Sequence, residues 1–434
     1  MTPTNRLLAV AIAWTLAGIL AAGWPLWMMP WIVLGAVAGG VGLIDAVLAL
    51  GCQRMDIERR LPGRFAQGEI GEVRLILKNG GGRAAAVDVF DGIPQGAEAP
   101  TLPWSGVVPA RRELRVFLPL RLWQRGEQVF GQLQLRRRSP CGLWLRLTRH
   151  LGEETVRVYP NYEPVVRYAL LAMQHRDSPL GIVRRARAGT SRDFHQLRDY
   201  RDGDPLAQID WKATSRRQLL ISREFQEQRN QSVVFLLDTG RRMRAIDGEL
   251  AQFDHALNAI LLVSHVALKQ GDQVSVKSFG GTERWLPPVK GAHAMPVLLN
   301  HLYDYQTTAA PSDFAGAVEQ LMARQRRRSL VVVLTNLRGE DGKELVPALQ
   351  VLQSKHLVLL ASLRESTVGE ALTRPVDSLG GALKFLAAER YAGERREILA
   401  GLGARGILTL DTTAQELAVA LANRYLDIKA AGRL

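Results

Sequence analysis

Two long apolar stretches near the amino end constrain this chain before anything else does. Leu7 to Trp24 carries no charge, and Leu26 to Gly51 carries one, Asp45. Each reaches the roughly 18 apolar residues that suggest a membrane span. Between them lies only GWPL, where Pro25 breaks any helix joining the two. The expectation is an antiparallel transmembrane hairpin over residues 1–54, with spans near 7–24 and 26–51. Trp24, Trp27 and Trp31 gather at the turn, where amphipathic rings favour the membrane interface. Arg6 precedes the first span, and Arg54, Arg59, Arg60 and Arg64 follow the second. Positive flanks stay inside, so both ends are expected in the cytoplasm. A cleaved leader, with Ala21 and Gly23 as small residues near the cut, is the competing account. It would leave the second span running inward and the soluble part still cytoplasmic. Gly35 with Gly39, and Ala36 with Gly40, are small residues four apart, a spacing that permits self-association through the hairpin. Asp45 reads as an interfacial residue or a polar contact between helices, with the interface preferred.

The remaining length of the 434-residue chain allows about two further domains at roughly 150 residues each. With 47% apolar and 23% charged residues, the composition excludes a disordered chain. The net charge of +14 fits nucleic acid, an anionic membrane surface, or plain arginine richness. Arginines come in short runs at Arg136 to Arg138, at Arg184, Arg185 and Arg187, and at Arg326 to Arg328. None is interleaved with aromatics that could stack bases, so nucleic acid is not expected as a partner. Cys52 and Cys141 share no CxxC or His-rich spacing, which leaves no disulfide framework and no zinc site.

Residues 55–160 alternate polar and apolar with a period of two: EVRLILKN, AVDVFDGI, ELRVFLPLRL, QVFGQLQLRRR, TVRVYP. Turn residues punctuate them, and six or seven antiparallel strands of a β-sandwich-like domain are expected. From Ser232 the pattern changes again. Continuous apolar strands, SVVFLLDT, SLVVVLTNL, LVLLASL and ILTLDT, are separated by amphipathic helices, and DQVSVKSF with ERWLPPV reads as a hairpin. Residues 229–434 therefore read as an α/β doubly wound sheet, mostly parallel and covered on both faces. Ligands of such sheets bind beyond the carboxyl ends of the strands. Asp238 and Asn336 end two of these strands and are expected to share that edge.

Between the two domains lies a connector, residues 161–228, whose later part is unusually dense in Arg, Asp, Tyr and Trp: RDYRDGDPLAQIDWKATSRRQLLIS, from Arg198 to Ser222. Leu197, Tyr200, Ile209 and Trp211 are too apolar for a solvated loop, and the interleaved charges suggest a partly buried ion-pair network. This block resembles the signature of the bacterial family called domain of unknown function fifty-eight, whose usual form is close to LREYRPGDxxRxIDWKATAR. The matching positions are Leu197, Arg198, Asp199 in place of Glu, Tyr200, Gly203, Asp204, Ile209, Asp210, Trp211, Lys212, Ala213, Thr214 and Arg216. Ala207 departs from the family's arginine. Upstream, Arg125-Gly126, Gly131 and SPCGLW resemble the family's RG…G…DPFGL pattern, with Ser139 replacing the acidic residue.

SVVFLLDTGRRM, from Ser232 to Met243, resembles the opening strand and loop of a von Willebrand factor type A-like domain. In that domain the edge holds a metal through a DxSxS loop, a threonine and a second aspartate. Here Asp238 is kept, Gly240 and Arg242 stand for the serines, Ser312-Asp313 lies where the threonine is expected, and Asn336 follows Thr335 where aspartate is usual. A hard divalent cation would meet too few oxygens and a nearby positive charge, so no metal is expected. An internal salt bridge from Arg242 or Arg241 to Asp238 is expected instead, with Arg241 and Arg242 also the candidate contacts for a protein partner.

The two spans and their arginine flanks lead to the expectation of a multi-pass protein of the bacterial inner membrane, no cofactor is expected, and the resemblance implies an adaptor working with a MoxR-type AAA+ ATPase in assembling or remodelling other complexes. Two rivals remain open: a structural scaffold without an ATPase, and a hydrolytic enzyme using His195, Asp199, Asp204 and Asp210. No Walker A, HExxH or GxSxG motif is present. GLGARG at Gly401 to Gly406 follows a helix pattern and precedes a strand, the reverse of dinucleotide-binding order, so it reads as a helix stop. Asn230-Gln231-Ser232 matches a glycosylation acceptor but is expected to face the cytoplasm.

Overall fold

The structure, a computed structural model, describes residues 1–51, 55–161, 194–200, 206, 209–225 and 230–434. Arg54, Cys52, the arginines at 184, 185 and 187, Gly203, Asp204 and Ala207 lie outside the described residues, as does most of the connector. The chain divides into two compact units, Met1–Tyr159 and Pro160–Leu434.

The first unit opens with two helices, α1 (Asn5–Ala21) and α2 (Pro25–Gly51). Thr4 caps α1, its hydroxyl accepting from the Leu7 N–H. Pro25 takes the first position of α2, where its missing N–H costs nothing. Only α2, over Leu26–Gly51, is long and apolar enough among the described residues to cross a membrane; α1 is a shorter apolar helix of 17 residues. The helices are fastened by Trp14 and Trp31, whose rings stack at 4.6 Å. Each indole N–H donates to the other residue's carbonyl, at 3.3 and 2.9 Å. Gly35 makes this possible, because a Cβ there would meet the Trp14 ring at 2.5 Å. Trp31 is therefore an interhelical residue rather than part of a belt at the turn, while Trp24 and Trp27 are exposed. Gly39 and Gly40 face open space.

Nine strands of five residues or more follow: β1 (Asp56–Arg60), β2 (Ile70–Lys78), β3 (Ala85–Phe90), β4 (Trp104–Val108), β5 (Glu113–Arg121), β6 (Gly126–Phe130), β7 (Leu133–Arg138), β8 (Trp144–His150) and β9 (Glu154–Tyr159). They form three sheets: Thr2–Pro3 with β8, β7, β3 and β4; β1, β2 and β5; and Phe65–Ala66 with β9 and β6. Alternate residues of all three, such as Leu75, Leu77, Val87, Val89, Leu118, Leu120, Leu135 and Val158, enter one hydrophobic core. Arg59 is not a free flank of the second apolar stretch. Its side chain is buried on β1 and pairs with buried Asp91 at 2.7 Å. Burial pushes the Asp91 carboxyl up, against the pull of that guanidinium.

The SPCGLW turn between β7 and β8 grips the polar ends of the two helices. Asp45, fully buried, accepts from Ser139 Oγ at 2.5 Å, from the Cys141 N–H at 2.9 Å and from the Leu143 N–H at 3.2 Å. Trp144 Nε1 donates to Gly42 O, and Thr4 Oγ1 donates to Gly142 O. Asp45 is thus a docking residue inside the unit, not a solvated interfacial one. Ser139 donates to Asp45, where an acidic side chain at position 139 would oppose a second carboxylate.

In the second unit, β10 (Phe194–Asp199) pairs antiparallel with β11 (Ile221–Phe225), and α3 (Trp211–Arg217) lies between them in sequence. Then come β12 (Ser232–Asp238), α4 (Gln252–Lys269), β13 (Gln273–Phe279), β14 (Trp285–Val289), α5 (Ala294–Leu302), α6 (Phe314–Arg324), β15 (Leu330–Thr335), α7 (Gly342–Gln353), β16 (Leu357–Arg364), α8 (Ser366–Thr373), α9 (Leu379–Ala404), β17 (Leu408–Thr413) and α10 (Leu417–Ala430). The sheet order is β14-β13-β12-β15-β16-β17, parallel except for the antiparallel edge strand β14. Every residue of β12 and β15 is buried, as expected of strands covered on both faces. On one face, Val234, Leu236, Val331 and Val333 pack with Phe314, Leu321, Leu345 and Leu349 of α6 and α7.

Candidate functional site

The chain leaves β12 to build β13 on one side and returns to build β15 on the other. The strand order therefore reverses between β12 and β15, and the crevice at their carboxyl ends is where ligands of such sheets bind. Asp238 ends β12 in that crevice and is fully buried. Its Oδ1 accepts from the Gly240 N–H at 2.8 Å, Ser312 Oγ lies 2.8 Å from both oxygens, and Thr335 Oγ1 donates to Oδ2 at 2.7 Å. Burial pushes the carboxyl above its ordinary range. The bonds from Thr335, Gly240 and Ser312, and the charge of Arg242, pull it back in part.

The positions singled out by sequence separate here. Ser312 reaches Asp238, while Asp313 turns away, exposed, and caps α6 by accepting from the Gly316 N–H. Thr335 reaches Asp238, while Asn336 donates to Gln252 Oε1 at 2.9 Å and Glu365 Oε1 at 2.8 Å. The expected bridge from an arginine to Asp238 is replaced by another. Arg242 is buried and pairs with buried Asp341, with Glu340 at 3.4 Å. The reason is the short helical turn that follows Gly240, which buries Arg242 against the Gly339–Asp341 turn. Its neighbour Arg241 is exposed, 3.9 Å from exposed Glu340. A Cβ on Gly240 would meet Ser312 Oγ at 2.7 Å and the Ala310 carbonyl at 3.0 Å, so the loop closes on Asp238 because position 240 has no side chain.

Sequence reasoning missed the centre of the neighbouring network. Arg395, buried in α9, donates to Asp411 on β17, Ser362 Oγ at 2.6 Å, Leu363 O at 2.8 Å and Leu337 O at 2.5 Å. One guanidinium thereby ties the carboxyl ends of β15, β16 and β17. Such a buried charge is tolerable because its donors are satisfied. Tyr391 joins it, 3.4 Å from Asn336 Oδ1, with its phenol pushed up by burial. In sequence Arg395 is one arginine of a mid-helix pair, and only the helical spacing to buried Ala388 and Leu402 marks it as inward.

The signature block is more open than expected. Ile209, Ile221 and Ser222 are buried, but no residue of α3 is, and Trp211 is 67% exposed with Lys212 and Arg216 also at the surface. A seven-residue helix, capped by Asp210 at one end and by left-handed Gln218 at the other, has no room to bury a face. Asp210 accepts from the Ala213 N–H at 3.0 Å, and Thr214 Oγ1 accepts from the Ile221 N–H at 3.0 Å. Asp199 is exposed and Tyr200 half-buried. The side chains of His195 and Arg198 lie outside the described residues. Among the described residues no group of three or more His, Cys, Asp or Glu is arranged to hold a metal ion.

Residues 196–371 match the family described as protein of unknown function DUF58. The match runs from the signature block into α8 and includes Asp238, Ser312, Asn336 and Glu365; Arg395 and Asp411 lie beyond it. The uncharacterized protein YeaD of Bacillus subtilis (strain 168) is 24% identical over 269 residues, 60% of this chain. The match spans 62% of the length of that protein. Among solved structures, an aerotolerance-related membrane protein from Bacteroides fragilis aligns over 31% of this chain and 67% of its own, at 20% identity and a TM-score of 0.24. The carboxyl-terminal part of Escherichia coli alpha-2-macroglobulin aligns over 25% of this chain and 17% of its own, at 16% identity and a TM-score of 0.22. At such scores neither bears on the fold.

Proposed function

We propose that this chain is a membrane-anchored binding protein with its soluble units in the cytoplasm. In this reading the apolar helices form a two-span hairpin in the inner membrane. The α/β unit is a von Willebrand factor A-like domain whose sheet edge works without a metal. The partner is acidic, and the family resemblance points to a MoxR-type AAA+ ATPase. The observation that carries the reading is the division of labour between adjacent arginines. Arg242 is used up inside, against Asp341, while Arg241 stands exposed beside the crevice. An exposed surface pair such as Arg241 with Glu340 is worth only about 0–1 kcal/mol, so stability does not require Arg241. Charge steering towards an acidic surface does.

The metal-free part rests on the donor set. A cation at this edge would find one carboxylate, already accepting three hydrogen bonds, with Arg242 nearby and an amide at position 336. A non-enzymatic role is supported by Asp210, whose carboxylate serves a helix end.

The test compares Arg241→Glu with Arg242→Glu in the full chain. Arg241→Glu is expected to melt within about 0.5 kcal/mol of the parent, and to capture the ATPase less well, most clearly at low salt. Arg242→Glu is expected to lose about 3–5 kcal/mol by leaving buried carboxylates unpaired. A folded Arg241→Glu chain that captures the ATPase at parental strength overturns the contact. Saturable heat on adding Mg²⁺ overturns the metal-free edge.

A further inference from the structure

Helix α2 is longer than the hydrocarbon of a bilayer requires. Its 27 residues rise about 40 Å. The hydrocarbon is roughly 30 Å thick, and roughly 40–45 Å with both headgroup layers. The final turns of α2 have two faces. Gly42, Asp45 and Ala49 are buried against the β-rich part of the first unit, while Leu43, Ile44, Val47 and Leu50 are exposed. At about 100° per residue the two sets point in opposite directions. What the β-rich part holds fixes its depth. Trp144 Nε1 donates to Gly42 O at 2.8 Å, and Arg146 Nη1 donates to Ala49 O at 3.1 Å and Leu50 O at 3.0 Å. The turn before β8 and the start of that strand therefore stand level with the end of α2. In a membrane that level is the headgroup layer. Two arginines border this turn. Arg6 lies beside it, since a Cβ on Gly142 would meet Arg6 Nη1 at 3.3 Å. Arg138 immediately precedes Ser139 and pairs in register with Leu145 of β8. Both arginines are exposed, and neither has an acidic partner among the described residues. Asp45, the carboxylate inside the turn, is buried and already accepts three hydrogen bonds.

We propose that Arg6 and Arg138 bind the headgroup phosphate of anionic phospholipid, in the leaflet where α1 begins and α2 ends. Position and charge both argue for this occupant. The surface next to the arginines is the exposed apolar face of α2, so one lipid satisfies both: its acyl chains cover Leu43, Val47 and Leu50, and its phosphate meets the guanidinium groups. An acidic protein in the same place would have to displace lipid from those leucines. Guanidinium groups suit phosphate because their fork of N–H donors matches its oxygens. Phosphatidylcholine carries its own cation beside the phosphate, which opposes an arginine, whereas phosphatidylglycerol carries none. Bound lipid would then brace the turn that grips Asp45 from outside, adding to the bonds that dock the sheet on the helices. The inference rests on the membrane anchoring proposed above.

Lipid retention tests this. The full chain is reconstituted in bilayers of equal parts phosphatidylglycerol and phosphatidylcholine, re-extracted in a neutral detergent, and assayed for the phospholipid still bound. The parent is expected to retain phosphatidylglycerol in excess, by about fivefold for each arginine that contributes. The double variant Arg6→Gln, Arg138→Gln is expected to retain the two lipids alike, with its melting temperature in lipid-free detergent unchanged. The pair Arg6→Lys, Arg138→Lys should keep most of the preference, and Arg115→Gln, on β5 and paired with Glu113, should keep all of it. A parent chain that retains both lipids equally overturns the proposal, as does a folded double glutamine variant as selective as the parent. If inorganic phosphate alone raises the melting temperature in lipid-free detergent as far as phosphatidylglycerol does, the arginines take a free anion and the lipid assignment falls. A chain that stays in the membrane fraction of cells without lipid preference counts against the headgroup site alone. Recovery of the chain in the soluble fraction overturns the anchoring, and the site with it.

Discussion

At the scale of single residues, the sheet edge shows how one carboxylate is kept when its surroundings change. Asp238 is buried, yet its three donors are a backbone N–H and two hydroxyls rather than a full counter-charge. The outcome is a carboxyl pushed above its unfolded value of 3.8. The folded chain then binds this proton more tightly than the unfolded chain does. Stability from this group is greatest below the unfolded value and falls as pH rises through the folded one. Asp238→Asn removes the titration, and the Ser312 and Thr335 hydroxyls can turn to accept from the new amide. The melting temperature of Asp238→Asn relative to the parent should therefore climb as pH is raised from about 4 towards neutrality. A difference that stays flat across that range would mean that the carboxyl titrates alike in both states. Asp238 is legible in the sequence because it ends a continuous apolar strand. The redirection of Arg242 to Asp341 is not, because it depends on a four-residue turn whose path no periodicity records.

At the scale of elements, continuous apolar runs are legible in the sequence and short alternating ones are less so. SVVFLLD and LVVVLT are buried along their whole length, so their apolar character is unbroken. Trp104–Val108 and Trp144–His150 pack only partly, and their mixed composition hides them, which is why nine strands stand where the sequence leads one to expect six or seven. The SPCGLW turn is visible as a motif, but its grip on Asp45 is not, since 94 residues separate Ser139 from that carboxylate. This grip can be tested by charge. Ser139→Asp should set two carboxylates against each other and loosen the turn, read as faster protease cleavage near Cys141 and a lower melting temperature. Adding Asp45→Asn should recover most of the loss, because a neutral amide no longer repels the carboxylate introduced on the turn. If the double variant is as labile as Ser139→Asp alone, the repulsion is not the cause.

At the scale of the whole molecule, the division into an apolar and β-rich first unit and an α/β second unit follows from changes of hydrophobic period along the chain. The network around Arg395 does not, because it assembles residues from three strand ends and a helix that only the tertiary fold brings together. The proposed orientation has a direct readout. A cytoplasm-dependent reporter fused after Leu434 should be active, and a periplasm-dependent one silent; the reverse pattern would place the soluble units outside and remove any cytosolic ATPase from reach. One edge of the α/β sheet bears on a different matter, unwanted strand pairing in a crowded cell. Strand β14 carries Pro287 and Pro288, both exposed, at the sheet's margin. Proline has no N–H to offer, so this margin cannot template another strand. Within this six-stranded sheet, strand addition by a recognition peptide or by a misfolded neighbour is thereby left to the opposite margin, Leu408–Thr413.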